Sequence, residues 1–496
     1  MNAMLLTDGY KLDHRRQYPK GTEYVYSNWT PRSNEYLPQA TDGAVVFGIQ
    51  YFIKKYLIDY FNENFFKVEK EKAVKNFARR IDTFLGENGV GTKHIEELWE
   101  LGYLPIRIKS LPEGSICPIR VPALTVVNTN PKFFWITNFL ETLMSCELWL
   151  PMTSATIARE YRKELEKHAR KTGFSKDVEL GFLCHDFSMR GMAGLEASII
   201  SGMAHLTSFI GSETVPAIDA MEKYYNIDAE KELIAGTVPA TEHSVMSAGG
   251  CKDEFNTYKR LLTEIYPKGY VSIVSDTWDL WQVVCDFIPR LKNEILARDG
   301  RFVVRPDSGD PVKIICGFTK EELEDYIGDV SIAEQKGVYE LLWETFGGTI
   351  NEKGYKVLDT HIGVIYGDSI TLERQKEIYK RLEEKGFAAT NLVLGIGSYT
   401  YQYKTRDSLG FAMKATWCQI NGEPKEIFKQ PKTDSGMKNS LKGLIQVLKD
   451  DNGKYYAKDC VSKEEENNGC LEVVFEDGIL VKETTLTEIR NRLCKQ

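Results

Sequence analysis

Phe302-Val303-Val304-Arg305-Pro306-Asp307-Ser308-Gly309 is a short apolar run that breaks at once into charged and turn-forming residues. An apolar run of this length, bounded by Pro and Gly, reads as a buried strand whose C-terminal end carries polar groups. The construction recurs through the middle of the chain. Residues 178–183 run into Cys184-His185-Asp186-Phe187-Ser188-Met189-Arg190, and Val271–Val274 into Ser275-Asp276. Residues 363–366 run into Gly367-Asp368-Ser369, and 392–394 into Gly395-Ile396-Gly397-Ser398. Between these runs lie stretches of helical character at 194–206, 278–297, 319–346 and 372–385. Short apolar strands alternating with helices predict parallel β/α units. In a β/α barrel every strand's C-terminal end converges on one face, where active sites are built. Five such ends carrying Asp, Arg, His or Gly pairs point to an active site on that face.

Outward from this core the alternation fades, before about residue 150 and after about residue 400. Residues 45–61 carry apolar residues at spacings of three and four, predicting an amphipathic helix. Residues 154–171 predict another, with Ser154 as N-cap and Gly173 as the stop. The tail at 411–421 and 471–481 reads as antiparallel strands with Asn421-Gly422 and Asp477-Gly478 turns. The expected organisation is 1–150 and 401–496 as two parts of one α+β domain, around a barrel-like catalytic domain at 151–400.

Composition sets bounds on partners. The chain has 496 residues, with 63 Lys plus Arg against 71 Asp plus Glu, a net charge of −8. An acidic chain without a long basic run argues against nucleic acid as partner. The ten cysteines include no C-x-x-C pair, so neither a zinc site nor a redox pair is signalled, and reduced thiols in a cytoplasmic protein are expected. The most hydrophobic stretch, 45–66, is interrupted by Lys54, Lys55, Asp59 and Glu63, too many charges for a membrane helix.

The strand ends suggest their own chemistry. Gly395-x-Gly397 lets backbone N–H groups approach a phosphate at a helix N-terminus, or simply ends a strand. No P-loop and no strand-linked G-x-G-x-x-G occurs. Arg190, Arg305, Arg406 and Lys414 suit phosphate oxygens, since Arg presents a bidentate fork. Asp276, Asp307 and Asp368 suit ribose hydroxyls, a Mg2+ with its waters, or positive charge developing on a sugar ring. Any single Arg/Asp pair among them reads first as a structural ion pair. His243, in Val238-Pro239-Ala240-Thr241-Glu242-His243-Ser244, is a general acid or base, a nucleophile toward phosphate, or a satisfied loop residue. His185 and His205 read as structural. Phe187 and Tyr10 either stack on a flat ring or fill the core.

These motifs resemble the nicotinamide phosphoribosyltransferase family. Thr7-Asp8-Gly9-Tyr10-Lys11, His185-Asp186-Phe187-x-x-Arg190-Gly191, Gly211-Ser212-Glu213-Thr214-Val215 and Val238-Pro239-Ala240-x-Glu242-His243-Ser244 match in the family's order. So do Val274-Ser275-Asp276, Arg305-Pro306-Asp307-Ser308-Gly309, Gly367-Asp368, Thr405-Arg406-Asp407 and Phe428-Lys429-x-Pro431. The resemblance implies an incomplete β/α barrel of the type II phosphoribosyltransferases, with an added α+β domain containing antiparallel strands. It also implies a homodimer with shared active sites, phosphoribosyl pyrophosphate and nicotinamide as substrates, Mg2+, and ATP as co-substrate.

By the same resemblance Phe187 and a partner-contributed Tyr10, in the Asp8 segment, would sandwich the pyridine ring. Arg305 and Asp307 would hold the ribose and phosphate side, with Arg190, Gly397 and Ser398 near the product phosphate. Asp276, Gly367 and Asp368 would sit near the ribosyl centre, and Arg32, Arg406, Lys414, Lys429 and Lys438 would contact the donor's phosphates. His243 would be phosphorylated by ATP. Two departures stand out. The family's Asp is Glu213 here, one methylene longer, and its triple glycine is Gly397-Ser398-Tyr399. A nicotinate-specific relative would want a cation at position 213. Keeping His243, Arg305, Asp307 and Asp368 together argues against a non-catalytic ligand-binding dimer. A sugar-phosphate lyase or isomerase would want a Lys at a strand end, and none of the five ends has one.

Overall fold

The computed structural model describes residues 1–173, 180–367, 369–428 and 441–494. It forms two compact units. The first comprises Met1–Thr156, Asp219–Asp228 and Lys404–Gln496, the second Ile157–Ile218 and Ala229–Tyr403. In chain order, β1 (Thr22–Thr30), β2 (Ile106–Ser110) and β3 (Leu124–Asn128) precede β4 (Cys184–Asp186), β5 (Val271–Val274) and β6 (Phe302–Arg305). Then come β7 (Ile362–Tyr366), β8 (Leu392–Ile396), β9 (Ala412–Ile420), β10 (Glu423–Glu426), β11 (Glu472–Glu476) and β12 (Ile479–Leu480).

The second unit is built on a parallel sheet in the order β4-β8-β7-β6-β5. Its edges do not stay open. Asp186 of β4 bridges Ser212, Gly211 bridges Gly236, and Ala240 bridges Ser272 of β5, all in the parallel sense. Five regular strands and two segments that pair through single bridges therefore close a ring, the incomplete barrel anticipated from the sequence. Along the strands alternate residues face the ring's interior, as the period of two requires. Ile273, Val304 and Leu394, on the other parity, have no exposed surface. Burial of each such side chain contributes about 1.5–3 kcal/mol, which favours β-branched runs here.

The first unit is a seven-stranded antiparallel sheet in the order β10-β9-β1-β3-β2-β11-β12. Trp29 stacks flat on Phe411 at 5.0 Å, and both are fully buried. The expected tight turns are present: Asn421 and Gly422, and Asp477 and Gly478, all have positive φ, the signature of hairpin turns that match strand twist. Among the described residues no helix is long and apolar enough to cross a membrane, and no disulfide joins the ten cysteines.

Three local expectations need correction. The first barrel strand is Cys184–Asp186 rather than 178–183; Val178 and Glu179 lie outside the described residues. The polar residues themselves form the strand because they pair with Leu394–Ile396. The 45–61 helix begins only at Ile49, since Ala44–Val45 pairs with Ile116–Cys117 and Gly48 turns the chain at φ 90°. Ser154 is not an N-cap but lies inside a helix spanning Glu141–Thr172 with Pro151 within it. A side chain on Gly48 would lie 2.5 Å from Pro151 Cγ, so the bare glycine gives the proline ring its seat.

The buried Glu113 ties that turn down. Its carboxylate accepts from the backbone N–H of Gly48 (3.1 Å) and Gln50 (2.6 Å), and from the Tyr225 hydroxyl (2.9 Å). Burial pushes its pKa up to about 7, and the three hydrogen bonds only partly offset this. A carboxyl whose folded pKa is raised binds its proton more tightly when folded, so stability falls as pH rises from about 4.5 to about 7 and the cost is complete above that. Chemical denaturation should show wild type losing stability relative to Glu113→Gln across this window, on the order of 1–3 kcal/mol, with a flat difference above pH 7.5.

Candidate active site

The ring encloses a cavity of about 490 Å3. Its wall is made mostly by alternate residues: Leu183, His185 and Phe187 on and beside β4, Ser272 on β5, Val303 and Arg305 on β6, and Val393 on β8. Phe182 before β4 and the consecutive Gly363, Val364 and Ile365 on β7 also line it. Glu213, Gly236, Thr237, Val238 and Ala240 from the two bridging segments complete it. Phe187 and Arg305 stand at the C-terminal ends of their strands, whereas Tyr270, Arg301 and Thr390 lie at the N-terminal ends. The cavity thus runs the length of the ring.

At the C-terminal rim a carboxylate, a cation and a flat ring converge. Glu213 Oε1 accepts from His185 Nε2 at 3.0 Å and from the Thr237 hydroxyl. Burial alone would raise the Glu213 pKa, but the hydrogen bonds from His185 and Thr237, and the charges of His185 and Arg305, hold it below the usual carboxylate range. The imidazole of His185 leans on Phe187, with ring centroids 5.0 Å apart. Arg305 donates to the Thr241 carbonyl, while its Nε is buried without a protein acceptor. Burial pulls the Arg305 pKa down, opposed first by the charge of Asp307 and then by those of Glu213 and Asp276.

Beside this group lies an acidic cluster around His243. Asp276 Oδ2 accepts from the Asp307 N–H (2.9 Å) and the Ser308 hydroxyl (2.6 Å), which pins the β6 turn to the end of β5. His243 Nε2 is 3.8 Å from Asp276 Oδ1 and 3.8 Å from Asp307 Oδ2, and its Nδ1 meets the Thr277 hydroxyl at 3.1 Å. The imidazole is half-exposed, so a reactant can reach it. Among the described residues the buried Asp276 Oδ1 has no hydrogen-bond partner.

Within the barrel unit the structure therefore gathers His243, Asp276, Asp307 and Arg305, and separately Phe187, Glu213 and Arg305. Gly367 lies against them: a side chain there would lie 2.8 Å from Asp307 Oδ1 and 3.7 Å from Arg305 Cδ. Gly397 precedes the short helix Ser398–Gln402, and Ser398 packs where any side chain on Gly191 would go, bringing that helix start to the Arg190 turn. Tyr399 is exposed and stacks on Tyr403.

In the first unit Arg32 donates to the Gly410 carbonyl, and its pKa is lowered by burial and then by the charge of Arg406. Lys414 projects from β9 at an exposed position. Asp8 accepts from the Thr142 hydroxyl at 2.6 Å, and Tyr10 is exposed beside His14. Asp368, Lys429 and Lys438 lie outside the described residues. His205 is structural as expected, buried between the Tyr401 hydroxyl and the Gly211 carbonyl. The structural reading of His185 is corrected, because it faces the cavity and holds Glu213. Its signal was present: His185 and Phe187 are two apart on one strand and so share a face. Thr237 and Thr241 carried no signal beyond lying beside Val238-Pro239.

Comparison with known proteins assigns this architecture. A nicotinate-nucleotide pyrophosphorylase from Pyrococcus furiosus superposes with a TM-score of 0.60 at 16% identity, covering 100% of this chain and 95% of that one. The human nicotinic acid phosphoribosyltransferase gives 0.53 at 15% identity, covering 99% and 93%. The fold is that of the type II phosphoribosyltransferases. In sequence, the model of the nicotinate phosphoribosyltransferase (NAPRTase) family matches residues 182–478, and that of the nicotinamide phosphoribosyltransferase N-terminal domain matches residues 2–108. The nicotinamide phosphoribosyltransferase of Acinetobacter baylyi is 51% identical over 507 aligned residues, covering 100% of this chain and 98% of that protein. That of Xanthomonas campestris is 31% identical, covering 99% and 97%. The chain belongs to the nicotinamide phosphoribosyltransferases of this family.

The tight packing at Gly367 yields a direct test. Gly367→Ala would push Asp307 away from His243 and Arg305. Turnover should fall at least ten-fold while the melting temperature moves by only a few degrees, measured by product formation and by calorimetry on the same preparation.

Proposed function

We propose that this chain transfers the phosphoribosyl group of phosphoribosyl pyrophosphate to nicotinamide, forming nicotinamide mononucleotide and pyrophosphate in NAD biosynthesis. The observation that carries the reading is the convergence of Phe187, ionised Glu213 and half-buried Arg305 on one cavity. Phe187 offers a face for a pyridine ring, Glu213 an acceptor for a carboxamide NH2, and Arg305 a cation on the ribose and phosphate side.

The ring nitrogen's lone pair forms the new bond to C1′ as the C1′–O bond breaks, and pyrophosphate leaves with that electron pair. No proton need be removed, so the residues have to orient the ring and exclude water. Carboxylates of Asp276, Asp307 and Asp368 stabilise positive charge developing on the ribosyl ring. Arg190, Gly397 and Ser398 hold the product phosphate, and Arg32, Arg406, Lys414, Lys429 and Lys438 the leaving pyrophosphate.

Mg2+ suits this set. The described residues contain no group of three or more acidic, His or Cys side chains placed to hold a metal ion by themselves, and the buried Asp276 Oδ1, without a hydrogen bond among them, is a hard oxygen donor. One or two carboxylates plus substrate phosphates and water is how Mg2+ is commonly held. Bound there, the ion would neutralise the leaving pyrophosphate. His243, half-exposed between two carboxylates, accepts the γ-phosphoryl group of ATP, and hydrolysis of the phosphohistidine couples ATP to synthesis. The working form is a cytoplasmic homodimer in which Tyr10 of the partner subunit covers the pyridine ring on Phe187. The exposed apolar surface of Leu195, Val215 and Tyr399 on the barrel unit suits such an interface.

Purified protein with phosphoribosyl pyrophosphate, Mg2+ and either nicotinamide or nicotinate tests the reading. Mononucleotide should form from nicotinamide with at least a hundred-fold preference in kcat/KM; product from nicotinate alone overturns it. Two like charges about 4 Å apart repel by roughly 1–4 kcal/mol at surface-like dielectric, so Glu213→Gln should cut the preference at least ten-fold. His243→Ala should abolish ATP hydrolysis and the stimulation of synthesis by ATP, and unchanged hydrolysis would remove the phosphohistidine.

A further inference from the structure

We infer that His185 and Thr237 are positioning residues that turn Glu213 into a specificity filter, by holding one carboxylate oxygen so that the other faces the pyridine substituent. This rests on the nicotinamide reading above. Both protein donors converge on Oε1: His185 Nε2 at 3.0 Å and the Thr237 hydroxyl. Among the described residues Oε2 has no recorded protein hydrogen bond, and Glu213 lines the cavity. The carboxylate is therefore divided, with one oxygen committed to the protein and one presented to a ligand.

The anchors matter because Glu213 is long. A glutamate has three side-chain torsions, and fixing it costs more rotamer freedom than fixing a shorter acid. Unheld, it could swing away from an incoming carboxylate and relax the repulsion that discriminates acid from amide. Held at Oε1 it stays, so an amide NH2 finds an acceptor while a carboxylate meets fixed negative charge. A specific site gains discrimination by such a built-in penalty against the wrong ligand.

The anchors are themselves built in. His185 is buried on β4, and a side chain on Gly211 would lie 2.6 Å from its Nδ1, so the glycine leaves room for the imidazole. The same ring leans on Phe187. One strand thereby sets both the surface for the pyridine and the position of the acid that reads its substituent. Thr237 approaches from the bridging segment between Gly236 and Ala240. Because a carboxylate only accepts, His185 Nε2 must carry a proton in this contact.

The test uses the full-length protein, with Thr237→Val as main variant: it keeps the side chain's shape, and Thr237 is exposed, so folding is not at risk. Thr237→Val should raise KM for nicotinamide about five-fold or more and cut the nicotinamide-to-nicotinate ratio of kcat/KM at least five-fold, without raising KM for phosphoribosyl pyrophosphate. Thr237→Ser, which keeps the hydroxyl, should restore both values. His185→Gln, which keeps a donor, should retain more discrimination than His185→Leu. In a Glu213→Gln background Thr237→Val should change the ratio by less than two-fold, because the two act through one carboxylate. A nicotinamide-specific wild type whose ratio is unmoved by Thr237→Val, while Glu213→Gln moves it, overturns the anchoring alone. A wild type that makes no mononucleotide from nicotinamide overturns the underlying reading before any variant is made.

Discussion

Parallel backbone pairing at the rim of the ring is the constraint on which the site depends. Ile396 pairs with Asp186, Arg305 with Val274, and three single bridges carry the circuit from Asp186 back to Ser272. Parallel strands place all their C-terminal ends at one rim, so residues far apart in sequence arrive together without any local motif. The Asp276 carboxylate reinforces this by capping the Asp307 N–H across two neighbouring strand ends. The bridging segments, too short to be regular strands, contribute Glu213, Thr237 and Thr241 to the cavity and its edge. What the barrel lacks in regularity on that side it supplies as functional side chains.

The charge arrangement follows from the same geometry. Among the described residues the buried Arg305 Nε has no acceptor and the buried Asp276 Oδ1 no hydrogen-bond donor, although His243 Nε2 stands 3.8 Å from that oxygen. Leaving a buried polar group unmatched costs about 1–3 kcal/mol. Two such atoms, on groups of opposite charge, lie at one rim of the ring. Glu213 is the contrasting case, one oxygen matched twice and the other left for the cavity. Such local conflicts between folding and polar satisfaction concentrate at functional sites.

The regular strands of the barrel were legible because buried β-branched runs such as Val271–Val274 and Phe302–Val303-Val304 leave a plain trace in sequence. The two bridging segments were not, since a single backbone bridge imposes no periodicity on its neighbours. Polar β4 was missed for the related reason that Cys184–Asp186 pairs through its backbone while its side chains serve the cavity and a buried network. Motif resemblance supplied Glu213, while Arg305 stood out as a strand-end cation and His243 as a histidine in a polar patch; the geometry added His185 and Thr237, which converge on Glu213 Oε1. Ser154 suggested a helix start by its N-capping hydroxyl, yet the helix runs through it from Glu141, with Pro151 inside.

The β1–β9 pairing of the antiparallel sheet joins residues from opposite ends of the chain, with the Asn28 amide donating to the Lys414 carbonyl 386 residues later. During synthesis every residue of the barrel leaves the ribosome before β9 exists. Until then β1 has β3 on one side and an unpaired edge on the other, an invitation to pair with another chain. The ring can close early, from contacts within its own span, whereas the sheet must wait for the last fifth of the polypeptide. Premature termination after residue 403 would thus leave a complete ring and only the middle strands β1-β3-β2 of the sheet, with both flanks missing. Quality control of such products falls on β1, whose fully buried Trp29 would then stand uncovered by Phe411.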